Sequence, residues 1–250
     1  KHYIQDFPML VSLLLSQLAF GENPDEFPEI NAQFFRPAFD SSYLVWVNES
    51  TPGKDRTLSL RSVLSYTSKP LGFTQYDGTT TEVLSNLTQT DLIGGYTFKN
   101  FRIGLDVPVI MRANGSLPNG ETLAETNLGD LIVDAKYRIT RPSSRVGAAI
   151  AFRSTLPTSS SAAAVHTSDP IIEGELALDT QLDKLFLAMN IGHRKQADFS
   201  YQNTLFGSQL FFRGGLGLLL HEKRGVAVEY VSSRLYEFNE RSCNRSDVSI

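Results

Sequence analysis

Cysteine and histidine are scarce in this 250-residue chain. The single cysteine, Cys243, excludes an intrachain disulfide. The four histidines are far apart, at positions 2, 166, 193 and 221, and they give no zinc-type spacing with the cysteine. None of them lies in a sequence signature for a hydrogen-bonded nucleophile and its base. The sequence therefore predicts no metal site, no cofactor and no enzyme activity.

A block of basic residues is also missing. The 23 Lys and Arg residues are outnumbered by 27 Asp and Glu residues, which gives a formal net charge of −4. Because proteins that bind nucleic acid need a basic surface, nucleic acid is not a predicted partner. Hydrophobic residues make up 41% of the chain and charged residues 20%, a composition typical of folded proteins.

Long apolar runs are absent except near the start, where one extends from Phe7 to Leu18. It follows a basic first residue and precedes Ala19-Phe20-Gly21, a small-x-small sequence. This layout predicts a secretory signal peptide over residues 1–21, cleaved before Glu22. The run is too short to span a bilayer comfortably, and an amphipathic or buried first helix is the alternative.

Strict alternation of apolar and polar residues dominates the rest of the sequence. Successive side chains of a strand point to opposite faces, so this period of two predicts β-strands. Nine strands are predicted, at residues 57–67, 89–98, 101–111, 131–139, 146–153, 170–180, 184–194, 209–220 and 225–232. Short connections (99–100, 141–145, 181–183 and 221–224) alternate with long polar ones (68–88, 112–129, 158–169 and 195–208).

This layout predicts an all-β fold, a transmembrane antiparallel up-and-down β-barrel of about ten strands with short periplasmic turns and long extracellular loops. The predicted organisation is a periplasmic N-terminal lead at 22–56, the barrel at 57–235 and a polar tail at 236–250, for which truncation of the chain is one open interpretation. A soluble β-sandwich is the rival, because its strands also alternate.

The two faces of the predicted strands differ in chemistry. Mixed charges on one face suit a narrow hydrated lumen, and in lipid each would cost about 2–4 kcal/mol. The predicted lumen-facing residues are Arg61, Asp91, Arg102, Asp106, Asp134, Lys136, Arg138, Arg153, Glu173, Glu175, Asp179, Arg213 and Glu229. Aromatic residues on the other face predict a lipid-facing girdle of Tyr66, Tyr96, Phe98, Phe101, Tyr137 and Tyr230. Asp134 and Lys136 are interpreted as an ion pair of the lumen, not as a catalytic acid and base.

Two stretches carry a family resemblance. "INAQFFRPAFD" (Ile30 to Asp40) and "NLGDLIVDAKYRI" (Asn127 to Ile139), which contains Gly129-Asp130, resemble barrel regions of large OmpA-family outer-membrane proteins of predatory and related δ-type Gram-negative bacteria. The resemblance covers roughly residues 30–235 and implies the barrel fold and a bacterial outer-membrane location. Such barrels are usually followed by a peptidoglycan-binding domain. No sequence after Tyr230 is similar to one, so peptidoglycan would be bound only through a domain absent from this chain.

Two functions follow as expectations. The first is a porin-like pore or structural envelope protein without catalysis; the alternative is an oligomeric lipid-binding or lipid-confining assembly. Outer-membrane lipid is the expected partner, and a homo-oligomer is an open alternative. An odd number of strands leaves sheet edges that cannot remain unpaired in lipid. Closure is expected from a tenth strand at residues 233–240, from sequence missing from a truncated chain, or from a neighbouring subunit.

Overall fold

The computed structural model describes residues 35–74, 80–116, 122–159, 166–201, 204–221 and 224–235. The predicted signal peptide and most of the tail lie outside these ranges. The strands are β1 (Thr57–Thr74), β2 (Thr80–Phe98), β3 (Phe101–Ser116), β4 (Thr122–Leu128), β5 (Leu131–Arg138), β6 (Val146–Leu156), β7 (Ile171–Leu182), β8 (Leu185–Lys195), β9 (Phe199–Tyr201), β10 (Thr204–Phe206), β11 (Gln209–His221) and β12 (Arg224–Leu235). In these ranges, no helix is long and apolar enough to cross a bilayer.

Ten strands form one antiparallel sheet that curls into a half-barrel. Nine of them follow one another in the order β1-β2-β3-β5-β6-β7-β8-β11-β12, and β4 pairs with the far end of β3. The predicted all-β, up-and-down architecture is therefore confirmed. Its tight turns, at 99–100 and 183–184 among others, lie at one end of the sheet, called the turn end here; the opposite end is the loop end. Lys99 and Asp183 adopt φ of 53°, as two-residue hairpin turns require.

Three strands are much longer than the sequence predicts. β1, β2 and β3 contain 18, 19 and 16 residues, so most of the predicted loops at 68–88 and 112–129 are strands instead. Backbone pairing continues there without apolar alternation, because the ladder of hydrogen bonds needs no particular side chain. Irregular register between Ser68 and Leu71 accommodates Pro70, which cannot donate to the ladder.

The prediction of a tenth strand at 233–240 is wrong in its first residues. Ser233, Arg234 and Leu235 continue β12, and residues 236–240 lie outside the described ranges. The tenth strand of the sheet is β4, which lies in a predicted loop. A further hairpin, β9 with β10, lies within the predicted loop at 195–208. Short strands such as these carry too few residues to show a period of two.

The core of the half-barrel lies on its concave side. Residues 35–56, which precede β1, form no strand and lie against the sheet there; we call them the inner segment. Its side chains Ala38, Phe39, Leu44 and Val47 are buried. Phe39 packs with Ile93 of β2 and Ile132 of β5, and Leu44 and Val47 pack with residues of β8.

Candidate functional site: the inner segment and its charged wall

The structure places the residues of the two predicted faces on opposite sides of the sheet. All thirteen charged residues of the predicted lumen set lie on the concave side. Nine are buried: Asp91, Arg102, Asp106, Asp134, Lys136, Arg153, Glu173, Glu175 and Arg213; Arg61, Arg138, Asp179 and Glu229 are half-buried. The six aromatic residues of the predicted girdle lie on the convex side and are 42–67% exposed. The concave side is packed with protein, whereas the sequence alone predicted a hydrated lumen.

Opposite charges form a row across four neighbouring strands of the concave wall. Strand register places Asp134 of β5 opposite Arg153 of β6, Arg153 opposite Glu173 of β7, and Glu173 opposite Arg194 of β8. Directly opposed side chains interact across a sheet, so each charge in the row has a neighbour of opposite sign. Asp134, Arg153, Glu173 and Glu175 are all buried. The wall is therefore closed at this height.

Arg36 joins the inner segment to the loop end of this row. Its Nη1 donates to Thr155 Oγ1 and to Glu173 Oε1, both at 2.8 Å. Glu173 also pairs with Arg194 at 3.1 Å and with Arg213 at 3.3 Å. One buried carboxylate thus holds three arginines, and the excess positive charge is reduced by Glu175, 3.2 Å from Arg213.

Asp40 makes the second charged contact of the inner segment. Its Oδ1 lies 2.5 Å from Lys136 Nζ and its Oδ2 lies 3.3 Å from Arg102 Nε. Lys136 Nζ also donates to the backbone oxygen of Glu49 at 2.6 Å, and Arg102 pairs with Asp134. All four charged side chains that meet here are at most 4% exposed. Such pairs have lost their water, so each depends strongly on its partner.

Glu49 is the second acidic residue of the inner segment. Its Oε1 accepts hydrogen bonds from the backbone N–H groups of Ser42 and Tyr43, at 2.7 and 3.2 Å. Burial raises the pKa of Glu49 to about 7. The hydrogen bonds from Ser42 and Tyr43 and the charge of Lys136 lower this pKa, while the negative charge of Asp40 raises it.

Two side chains from opposite edges of the sheet hold the backbone of the same turn. Arg61 of β1 donates to the carbonyl oxygens of residues 38, 41 and 44 at 3.1–3.3 Å. Glu229 of β12 accepts hydrogen bonds from the N–H groups of residues 45, 46 and 47 at 2.7–2.9 Å. The turn at 38–47 thus connects the first and last strands of the nine-strand path.

The remainder of the inner segment follows the wall to the turn end. Asn48 and Asn190 exchange two hydrogen bonds of 2.8 Å, and Ser50 Oγ donates to Asp179 at 3.0 Å. Arg138 donates to Thr51 Oγ1 at 2.9 Å. Since Arg36 lies at the loop end and β1 starts at the turn end, the inner segment spans the height of the wall.

Glycines in the wall provide space for side chains of the inner segment. A Cβ on Gly104 would lie 2.6 Å from the ring of Phe39, and a Cβ on Gly215 would lie 2.6 Å from a methyl group of Leu44. A Cβ on Gly147 would overlap Ser50. The sequence alone predicted a hydrated lumen on this side, whereas here the glycines accommodate a specific segment of the chain.

Several residues of this site escaped the sequence prediction. The alternation that places Asn190 on the concave side of β8 continues to Arg194. The sequence pattern therefore could have placed Arg194 on the charged face. No pattern in the sequence indicated Arg36, Asp40 or Glu49, because residues of the inner segment do not alternate between apolar and polar as those of a strand do. Their partners lie far along the chain: Lys136 is 96 residues from Asp40, and Glu173 is 137 residues from Arg36.

Asp130, of the Gly129-Asp130 pair, lies outside this wall. It is buried between β4 and β5 and accepts backbone hydrogen bonds from Thr158, Ser159 and Thr167 at 2.9–3.0 Å. His166 Nδ1 lies 3.2 Å from the same carboxylate. Asp130 thus holds both ends of the β6–β7 connection against the sheet. Its position just before β5 therefore has a structural role.

No protein-family model matches the chain, and no curated protein matches it. The geometry of the sheet and the inner segment is therefore the basis for assigning a function.

Proposed function

We propose that this protein is a transmembrane β-barrel of a bacterial outer membrane whose interior is closed by its own inner segment, and that it serves as a structural envelope protein. The porin-like interpretation of the sequence required a free lumen. The packing of Phe39, Leu44 and Val47 against the concave wall favours a closed interior.

The observation that carries this proposal is the inverted distribution of polarity. Charged side chains are buried on the concave side, while the convex side exposes large apolar side chains. One row of opposed residues crosses β3, β5, β6, β7, β8 and β11: Phe101, Tyr137, Ile150, Leu176, Ile191 and Phe212. Five of these six are 38–54% exposed. Soluble proteins rarely expose apolar surfaces of this extent, and lipid is the solvent that suits them.

The dimensions of the sheet agree with a bilayer. β5, β6, β7, β8, β11 and β12 contain 8–13 residues. A tilted strand needs about 9–11 residues to cross the hydrocarbon core. The extended β1–β2 and β3–β4 hairpins would then project beyond the membrane at the loop end.

Lipid contact can be tested with quenching by brominated lipids in vesicles. Trp46, the only tryptophan, belongs to the inner segment, so wild-type fluorescence is expected to be quenched weakly. In a Trp46→Phe background, Phe152→Trp on the convex side is expected to be quenched strongly. Arg141→Trp, in an exposed turn, is the matched control and should be quenched weakly. A Phe152→Trp variant as weakly quenched as this control would contradict the membrane assignment.

The closed interior has its own test in planar bilayers. Wild-type protein is expected to give no stepwise conductance. Variants Ser50→Cys and Asp179→Cys, combined in a Cys243→Ser background, replace two side chains that meet at 3.0 Å and should fix the inner segment to the wall by a disulfide. Open-channel currents from wild type that vanish in the oxidised variant would refute the structural role and support a pore.

An oligomeric lipid-confining assembly is the second candidate. It is favoured by one observation: within the described residues, each of the edge strands β1 and β12 has a partner strand on one side only. The mass of the detergent-solubilised particle separates the two proposals. A monomer supports the structural barrel, and a defined oligomer with co-purified lipid supports the assembly.

A further inference from the structure

The turn end of the sheet carries an excess of positive charge. The described segments at this end, 51–56, 99–100, 139–145 and 183–184, contain eight charged side chains, and all eight are exposed. Only Asp55 and Asp183 are acidic. The other six are basic, and we call them the basic rim: Lys54, Arg56, Lys99, Arg141, Arg145 and Lys184. These segments therefore have a net charge of +4, whereas the whole chain has −4.

The four segments lie side by side, which makes the rim continuous. The N–H of Lys99 donates a hydrogen bond to Asp55 Oδ1 at 2.6 Å and joins the segment before β1 to the first turn. The N–H of Arg138, at the end of β5, donates to the carbonyl oxygen of Asn100 at 2.8 Å, which places the next turn beside the first. Pairing of β6 with β7 brings the last turn next to them. Basic residues of neighbouring segments can therefore contact one ligand surface.

The protein itself neutralises little of the charge of the rim. Among the described residues, Arg56 is the only one of the six cations that pairs with a carboxylate, at 4.0 Å from Asp55. Lys99 instead lies over the ring of Phe98, 5.3 Å from the ring centroid. The basic residues of the concave wall differ, because most of them are buried in ion pairs. The exposed cations of the rim can thus bind an anionic partner.

Exposed aromatic side chains border the rim on the convex side. Four of the six girdle residues lie at the turn end and are 42–50% exposed: Tyr96, Phe98, Phe101 and Tyr137. Phe101 and Tyr137 are directly opposite each other, and Phe98 immediately precedes Lys99. Aromatic rings of membrane proteins concentrate where hydrocarbon meets the lipid headgroups. Towards the turn end, the surface thus changes from apolar to aromatic to basic, which is the order of an acyl chain, the interface and a phosphate group.

We propose that the basic rim binds the phosphate groups of anionic phospholipids, whose acyl chains lie against the aromatic residues of the turn end. The inference rests on the proposed membrane location. Arginine and lysine both bind phosphate, arginine through two parallel hydrogen bonds and lysine as a compact charge. Anionic lipids are preferred over zwitterionic ones, because an ammonium group neutralises the phosphate of a zwitterionic headgroup. Each basic residue near an anionic membrane strengthens binding by about fivefold.

Lipid preference can be measured next to the rim. In a Trp46→Phe background, Phe101→Trp reports from the turn end and Leu210→Trp from the loop end of the convex side, where the native side chains are 42% and 48% exposed. Each full-length variant is refolded in mixed vesicles of phosphatidylglycerol and phosphatidylcholine, with bromine on the acyl chains of one lipid or of the other. Half-quenching of Phe101→Trp is expected to need about fivefold less brominated phosphatidylglycerol than brominated phosphatidylcholine. A preference of the same size at Leu210→Trp would overturn the assignment to the turn end.

Charge variants connect this preference to the rim. Lys99→Gln combined with Arg141→Gln removes two neighbouring cations, and we expect the preference measured at Phe101→Trp to be mostly lost. Arg112→Gln combined with Lys195→Gln removes the same charges from exposed positions at the loop end and should leave the preference unchanged. Sodium chloride should also reduce the preference, since salt screens exposed charges. Equal losses in the two double variants would contradict a role of the rim.

The outcomes separate this inference from the membrane assignment. If neither brominated lipid quenches Phe101→Trp or Leu210→Trp, the convex side does not contact lipid and both proposals fail. If both lipids quench Phe101→Trp equally, the membrane assignment stands and the binding of anionic headgroups is overturned. A preference for phosphatidylglycerol that is confined to Phe101→Trp, and that is lost with the two rim cations, supports the inference.

Discussion

Asp40 is the residue of the inner segment whose loss has the clearest expected cost. Asp40→Ala leaves Lys136 and Arg102 buried with one partner fewer, at 0% side-chain exposure for both. Removing one partner of a buried ion pair typically costs about 3–5 kcal/mol, because the remaining charge stays desolvated. Lys136 keeps the backbone oxygen of Glu49 and Arg102 keeps Asp134, so we expect a value near the lower limit.

The control for this change is Asp55→Ala. Asp55 is also in the inner segment, but its side chain is 52% exposed and lies 4.0 Å from that of Arg56. Asp55 Oδ1 also accepts one exposed hydrogen bond, from the N–H of Lys99 at 2.6 Å. Exposed pairs contribute about 0–1 kcal/mol and a hydrogen bond about 0.5–1.5 kcal/mol, so this variant should lose clearly less stability than Asp40→Ala. The two substitutions delete the same atoms, but no buried cation depends on the Asp55–Arg56 pair.

Trp46 makes the measurement specific to the inner segment. Equilibrium unfolding in urea, in lipid vesicles, can be followed by its fluorescence and by circular dichroism of the sheet. A double-mutant cycle with Lys136→Met should yield a coupling energy of about 1–3 kcal/mol for the Asp40–Lys136 pair. An Asp40→Ala variant as stable as Asp55→Ala would refute the reasoning that this segment is held by buried ion pairs.

Three further predictions concern single positions. Gly104→Ala should cost about 1–3 kcal/mol by pressing on the ring of Phe39, whereas Gly174→Ala, with no atom within 4 Å of its Cβ, should be near neutral in the same unfolding assay. The pKa of Glu49 is about 7 in the folded protein and near 4.5 in the unfolded chain. The free energy of unfolding should therefore fall by up to roughly 3 kcal/mol as the pH rises from 4.5 to 7. Glu49→Gln should abolish that part of the pH dependence, and an unchanged slope would contradict it. Asp106→Leu should raise stability by about 1–3 kcal/mol, since both carboxylate oxygens are buried without a hydrogen bond among the described residues; a loss of stability would show that they have a partner.

Pairing order and side-chain direction were predictable because both are local properties. Tight turns such as Lys99-Asn100 force neighbouring strands to pair, and alternation decides the face of each residue. The sequence indicated in this way that Asp134, Lys136 and Arg153 share one side and that Tyr137 and Ile150 share the other. It failed at β4 and at the loop-end extensions of β1 and β2, where pairing proceeds without an apolar face.

The sequence by itself determined which residues belong to each face, because the alternation of apolar and polar residues along a strand can be read directly from it. It could not determine what the charged face contacts. That was decided by the tertiary structure, in which the aperiodic segment 35–56 meets distant residues: Asp40 contacts Lys136, 96 positions away, and Arg36 contacts Glu173, 137 positions away. The local sequence pattern carries no information on such pairs, since the two residues of each pair come together only when the sheet curls around the inner segment. The glycines of the wall have the same dependence: Gly104 and Gly215 are small because Phe39 and Leu44 pack there.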